Sequence, residues 1–65
     1  MKKYVCYEGI GRKWYNIEAF IIEDTGTYLK YEGMFQDGVY GISYAKHNNV
    51  FDTKVEADRF CNSMN

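Results

Sequence analysis

The first candidates for a nucleophile or general base in this 65-residue chain are Cys6, His47 and Cys61. A catalytic nucleophile needs a base within hydrogen-bond reach, and the base needs a group that orients it. No local motif supplies such groups, and His47 stands within the polar run 46–49. Two cysteines and one histidine also lack the ligand spacing of a zinc site. We therefore expect a protein that is not an enzyme and that uses no metal or cofactor.

The segment from Gly9 to Lys13 reads GIGRK and combines two glycines with two basic residues. Backbone amides in a glycine-rich turn can form a nest for anions, and neighbouring cationic side chains add charge. A dinucleotide-binding fingerprint would need a third glycine, but Trp14 stands at that position. Two glycines around one residue are more typical of a hairpin turn. The candidate anion-binding residues, as the alternative to a plain turn, are Gly9, Gly11, Arg12 and Lys13.

Aromatic residues make up 18% of the chain, which is more than a small core can hold. Rings on a sheet can stack on bases, as they do in RNA-binding sheets. The formal net charge of −1 argues against a general nucleic-acid binder, however. Cross-strand packing and self-association are the simpler explanation, since exposed tyrosine and tryptophan suit protein interfaces. The candidate interface anchors are Trp14, Tyr28, Tyr31, Tyr40 and Tyr44.

Charge is distributed unevenly along the chain. Residues 1–16 contain four basic residues and one acidic residue, which gives +3, whereas residues 17–65 contain four and eight, which gives −4. An acidic surface can be steered towards a basic groove on a partner protein. An ordinary solvated exterior is the simpler explanation of the acidic residues.

The clearest structural element is the stretch from Phe51 to Met64. Thr53 and Glu56 have the spacing of a capping box, in which the hydroxyl accepts from the Glu56 amide and the carboxylate reaches back to the Thr53 amide. A helix this short is not stable alone in water and needs a surface to lie on. Its apolar face, at helical spacing, consists of Ala57, Phe60, Cys61 and Met64.

Four or five strands are predicted before this helix, separated by turn residues at 24–27 and by the Asp-Gly pair at 37–38. The segment 14–23 also fits a helix, because Trp14, Ile17 and Ile21 would then share one side. Its aromatic and β-branched residues favour a strand. The predicted strands are Lys2–Glu8, Trp14–Glu23, Tyr28–Met34, Val39–Ala45 and, in addition, the short Val50–Phe51.

Sequential hairpins predict an antiparallel, meander-like sheet with the C-terminal helix on one face. The fold class is therefore α+β, in a single small domain that spans residues 1–65. No second helix is left to cover the other face of the sheet. We expect that uncovered face to need a protein partner, a ligand or another copy of the chain.

No apolar run reaches the length of about 18 residues that a membrane-spanning helix needs. The N-terminal segment MKKYVCYEGIG also lacks the apolar region of a signal peptide. These observations predict a cytoplasmic location, with both cysteines reduced. A disulfide between Cys6 in the first strand and Cys61 in the helix stays open as the alternative.

No motif of a known family stands in these residues. In size, and in the absence of a catalytic signature, the chain looks like the very small accessory proteins of phages and mobile elements. That general likeness implies a non-catalytic binding protein that inhibits a larger host protein, such as an enzyme or a defence system, from the host cytoplasm. We further expect a homo-oligomer, a dimer or higher. The alternative is an oligomeric protein that binds or sequesters a nucleotide-like anion, and a nucleic-acid binder comes third.

Overall fold

The computed structural model describes residues 1–65 as five antiparallel strands followed by one α-helix. This confirms the predicted α+β class, and it shows that the ambiguous segment from Trp14 is a strand. Two 3₁₀ turns lie at Ile10–Arg12 and His47–Asn49. The strands are β1 (Lys2–Glu8), β2 (Trp14–Asp24), β3 (Tyr28–Met34), β4 (Tyr40–Lys46) and β5 (Val50–Phe51), and the helix is α1 (Lys54–Met64).

The order of the strands forces the sheet to curl. The sheet runs β4-β3-β2-β1-β5, so the first four strands form the predicted meander while β5 joins the opposite edge. Only residues 47–49 connect β4 with β5. Because so short a link cannot cross a flat sheet, the two edges must approach each other in a partly closed barrel. A β-bulge between Ile21 and Glu23 in β2 provides part of the bend.

The inner face of the curled sheet contains the main core. Val5, Ala19, Tyr31 and Ala45, from β1 to β4, are buried together there. The expectation that the face away from the helix is uncovered was wrong. The curled sheet encloses that face, and the side chains on it pack against one another. The side chains that pack around the four core residues are Ile17, Ile21, Phe35 and Val50.

Tyr31 provides most of the volume at the centre of this core. The ring is only 2% exposed and lies among the small side chains of Ala19 and Ala45. At the neighbouring inner position Gly33, an added Cβ would lie 3.0 Å from Ile17 Cδ1 and 3.1 Å from the Glu18 carbonyl oxygen. Small residues on the neighbouring strands therefore make room for the Tyr31 ring at the centre of the interior.

Helix α1 covers only part of the outer face. Ala57 and Cys61 pack on Cys6 of β1, and these three residues form a second buried cluster. Phe60 contacts Trp14 of β2 edge to face, with ring centroids 5.5 Å apart. Met64, predicted to belong to the apolar helix face, is instead half exposed because it extends beyond the sheet contacts.

The N-terminus of α1 is capped in a modified way. The Thr53 hydroxyl accepts from the Glu56 amide at 3.3 Å, as the capping box predicts. The Glu56 carboxylate, however, accepts from the Thr53 hydroxyl at 2.9 Å instead of from the Thr53 amide. The cap still satisfies one of the free amides of the first turn.

Replacement of Tyr31 by Ala should lower the free energy of unfolding by about 3–5 kcal/mol, the usual cost of removing a buried ring. The exposed Tyr44 serves as the matched control, and Tyr44→Ala should cost less than about 1 kcal/mol. Urea denaturation followed by circular dichroism measures both. Equal losses in the two variants would contradict the assignment of Tyr31 to the core.

Candidate functional site

The outer face of β3 and β4 has no cover. Helix α1 packs against β1, β2 and β5, so it leaves the other half of the same face bare. The exposed rings and the helix therefore share the outer face of the sheet. The sequence, in contrast, predicts that the uncovered face is the one on the other side of the sheet from the helix.

Strand alternation places three large side chains of β4 on this bare area. Tyr40, Ile42 and Tyr44 are 55%, 58% and 57% exposed, whereas Ala45 points into the core. Together with exposed neighbours on β2 and β3 they form an area rich in large apolar side chains, with Lys30 and Glu32 among them. We call this area the outer patch, and it consists of Phe20, Tyr28, Met34, Tyr40, Ile42 and Tyr44.

Two charged residues of β3 lie within the outer patch. Lys30 is paired with Tyr44, and Glu32 is paired with Ile42. Desolvation by surrounding side chains, followed by the charge of the Glu32 carboxylate, raises the pKa of Tyr40 above its ordinary value of 10.0. The Tyr40 hydroxyl therefore remains a neutral hydrogen-bond donor at physiological pH.

The predicted interface anchors divide into three groups. Tyr28, Tyr40 and Tyr44 lie exposed on the outer patch. Trp14 is half buried against Phe60, so most of its contact area is used within the chain. The prediction of Tyr31 as an anchor was wrong, because its position in β3 faces the barrel interior.

Sequence reasoning did not assign the other members of the outer patch as anchors. The alternation in β4 already put Ile42 on the same face as two tyrosines. Phe20 and Met34 join the patch only through strand register, since Phe20 pairs with Glu32 and Met34 pairs with Tyr40. No local pattern along the chain contains that information.

A cleft of about 320 Å³ lies where β4 approaches β1 without pairing to it. Trp14 lines one side, and Tyr28, Tyr44 and Ala45 line the other. The cleft exists because β5 is only two residues long and leaves the second half of β1 unpaired on that side. It continues the outer patch around the free edge of β4.

The Gly9–Lys13 turn does not present an open nest of amides. The amide of Gly9 donates to the Lys13 carbonyl at 2.8 Å, and that of Arg12 donates to the Gly9 carbonyl at 3.2 Å. The Lys13 ammonium lies 5.9 Å from the centre of the Tyr15 ring. Gly11 and Arg12 have positive φ values of 72° and 60°, as a tight turn requires. The geometry thus favours a turn, and the anion site remains a prediction.

His47 has an acidic partner that local sequence patterns did not reveal. Its Nε2 lies 3.0 Å from Asp24 Oδ1, although the two residues are 23 positions apart. Asp24 also accepts from the Gly26 amide at 2.8 Å. The hydrogen bond from the Gly26 amide has the largest effect and the hydrogen bond with His47 the next largest, and together they hold the pKa of Asp24 below its ordinary value of 3.8.

The hydrogen-bonded pair of His47 and Asp24 borders a cavity of about 360 Å³ at one end of the barrel. The floor is apolar and includes Ile21, Leu29 and Val50, while Lys3 joins the pair at the rim. The lining contains no serine, threonine or cysteine. The His47–Asp24 contact joins the turn after β4 to the turn after β2.

Both cysteines are free and buried between β1 and α1. Cys6 donates a hydrogen bond to the Ala57 carbonyl at 3.4 Å. Burial, with a further contribution from Cys61, raises the pKa of the Cys6 thiol to about 12. Since the thiolate is the reactive form, Cys6 is inert at neutral pH.

No family model, curated protein or solved structure matches this chain. No cluster of three or more histidine, cysteine or acidic side chains is placed to hold a metal ion. The one α-helix is neither long nor apolar enough to cross a membrane. The outer patch is therefore the most distinctive feature from which function can be argued.

Alkylation should find both thiols protected in the folded protein. We expect iodoacetamide at neutral pH to leave Cys6 and Cys61 unmodified and to modify both after unfolding in urea, because both side chains are buried between β1 and α1. Intact-mass spectrometry counts the added groups. A variant with an exposed cysteine, Val55→Cys, provides the control for reagent activity. Rapid native modification of Cys6 would contradict the buried cluster.

Asp24 should make folding sensitive to acid. Since its pKa is lower in the folded than in the unfolded chain, its stabilisation is present above the ordinary value of 3.8 and is lost as the pH falls through the folded value. The difference in unfolding free energy between the wild type and Asp24→Asn should therefore be largest near neutral pH and should shrink below pH 3.8.

Urea titrations at several pH values measure this difference. Glu23→Gln changes a neighbouring exposed carboxylate for which the structure shows no hydrogen bond, so it is the matched control. A constant difference for Asp24→Asn across the acid range would argue against the bonds from Gly26 and His47.

Proposed function

We propose that this chain is a non-catalytic binding protein that docks its outer patch on a larger protein and occludes a site there. The observation that carries the proposal is the group of large exposed apolar side chains on β2, β3 and β4 that α1 leaves bare. Binding interfaces are enriched in tyrosine, phenylalanine and methionine at their centres. Five of the six members of the outer patch are of these types, with Lys30 and Glu32 as the charged residues among them.

The outer patch is also rigid before binding. Its side chains stand on paired strands, and tyrosine has few rotatable bonds to immobilise. A surface that is ordered in the free protein loses less entropy when it binds. Tyr40 and Tyr44 are the expected hot spots, because each combines a large ring with a hydroxyl donor.

The charge of the chain segment that contains the outer patch indicates the kind of partner. Residues 17–65 carry a formal charge of −4, which includes the acids of α1 as well as Glu32 within the patch. A partner surface with an apolar centre and a basic rim would complement it and would speed association. Such a surface is common around the substrate sites of enzymes that act on nucleic acids, and occluding it would inhibit the enzyme. We propose this action for an accessory protein of a phage or mobile element in a host cytoplasm.

Affinity capture followed by mutation tests the proposal. Tagged protein is incubated with host lysate, the captured protein is identified by mass spectrometry, and its affinity is measured with the purified pair. Tyr40→Ala and Tyr44→Ala should each weaken binding by about 30-fold, the loss of a hot spot. The free energy of unfolding should change by less than about 1 kcal/mol, because both rings are exposed.

Val55→Ala removes an exposed apolar side chain from α1, away from the outer patch, and is the matched control. It should leave the affinity unchanged. Unaltered affinity of folded Tyr40→Ala and Tyr44→Ala variants would refute the proposal that this face makes the contact.

A further inference from the structure

We infer that β4 pairs antiparallel with β4 of a second copy of this chain, around a twofold axis at Ile42. The inference concerns self-association and does not depend on the larger partner proposed above. It rests on the free edge of β4, on the order of residues along that strand, and on the charges and exposed side chains that one register brings together.

The edge of β4 that faces away from β3 has no strand paired to it, although its end around residues 44–46 lies next to β1 across the cleft. β4 is the terminal strand of the sheet and pairs only with β3, in a register without a bulge. It is seven residues long, contains no proline, and has its only charge at Lys46. Natural sheets usually protect such an edge with charges, prolines or bulges, because its unpaired amides and carbonyls recruit another strand. An edge without these devices is suited to pairing.

The residue order of β4 makes the strand complementary to itself. Residues 40–44 read YGISY, which has the same pattern of aromatic, small, branched, small and aromatic residues in both directions. In antiparallel pairing centred on Ile42, each Tyr40 faces Tyr44 of the second copy and the two isoleucines face each other. Aromatic and β-branched pairs of this kind stabilise antiparallel strands.

The same register brings opposite charges together at both ends. Beyond the paired residues, this register brings Lys46 near the turn 36–38 of the second copy, which contains Asp37. The Asp37 carboxylate is held in the turn, where it accepts from the Val39 amide at 3.0 Å. Twofold symmetry repeats this contact, so the dimer gains two lysine–aspartate pairs and places no like charges opposite each other along β4.

An exposed valine finds an apolar neighbour in this register. Val39, just before β4, is 60% exposed in the single chain. Pairing puts it opposite Ala45 of the second copy, on the inner side of the strand and at the edge of the cleft that Ala45 and Tyr44 line. Val39 would thus cover part of a cleft that β5 leaves open.

The charge and residue complementarity select a second copy over an unrelated strand. A strand of another protein would have to reproduce the same alternation and place an acid beside Lys46, whereas a second copy does both by symmetry. Because paired residues share a face, the two outer patches would lie side by side on one joint sheet. The dimer would then present one apolar surface that is twice as wide.

Sedimentation equilibrium of the purified protein over a range of concentrations tests the inference directly. We expect the wild type to approach the mass of a dimer. Ile42→Lys should raise the dissociation constant by about 30-fold or more, because it sets two like charges opposite each other at the axis. Val55→Lys adds the same charge on α1 and should leave the dimer intact. Ile42 is exposed, so circular dichroism should show a native fold in both variants.

Cross-linking tests the register. Under mild oxidation, Ile42→Cys should form a disulfide-linked dimer, since identical residues meet at the axis, whereas Val55→Cys should not. A wild type that stays monomeric at every concentration, or an Ile42→Lys variant that dimerises normally, would overturn the inference. So would a dimer in which Ile42→Cys fails to cross-link. Because only purified protein is used, these outcomes are independent of whether a larger partner is found.

Discussion

The three-residue connection between β4 and β5 is the constraint on which the rest of the structure depends. It joins strands at opposite edges of the sheet, so the sheet must curl and acquire an inside and an outside. The inside is narrow, and Tyr31 is the largest side chain that is fully buried there. The exposed large apolar side chains of β3 and β4 lie outside, beyond the reach of an eleven-residue helix.

The same division explains why the core and the outer patch use different residues of the same strands. In β4, Gly41, Ser43 and Ala45 face inwards, where space is limited, while the alternate positions have large side chains. Curling shortens the inner face and widens the outer one, so small residues suit the first and rings suit the second. The outer patch is in this sense a result of building a closed core from only 65 residues.

Much of the fold could be predicted from the sequence because it depends on local signals. The capping residue Thr53, the Asp-Gly turn at 37–38 and the aromatic alternation of β1 each act over a few positions. Alternation shows which residues share a face, but it does not show which face becomes the inside. Tyr31 and Tyr44 therefore looked equivalent, and only closure of the sheet separates them.

The remaining features depend on contacts between distant parts of the chain. Asp24 and His47 meet because the turns after β2 and β4 reach the same end of the barrel. Phe20 joins the outer patch through register with Glu32. Neither contact can be predicted from a regular spacing of residues in the sequence. The candidate site was thus only partly predictable: three exposed tyrosines were assigned correctly to the surface, but the area they belong to was not.

The central position of β1 has a consequence for biosynthesis. β1 precedes the other strands in the chain, yet it pairs with both β2 and β5, and Val5 lies opposite Val50. The meander of β1 to β4 needs only residues 2–46, but the barrel cannot close until residues 50–51 are free to pair. Until then the inner face of β1, with Val5, stays accessible to water and to chaperones. Folding of this chain is therefore completed after synthesis of β5 and α1.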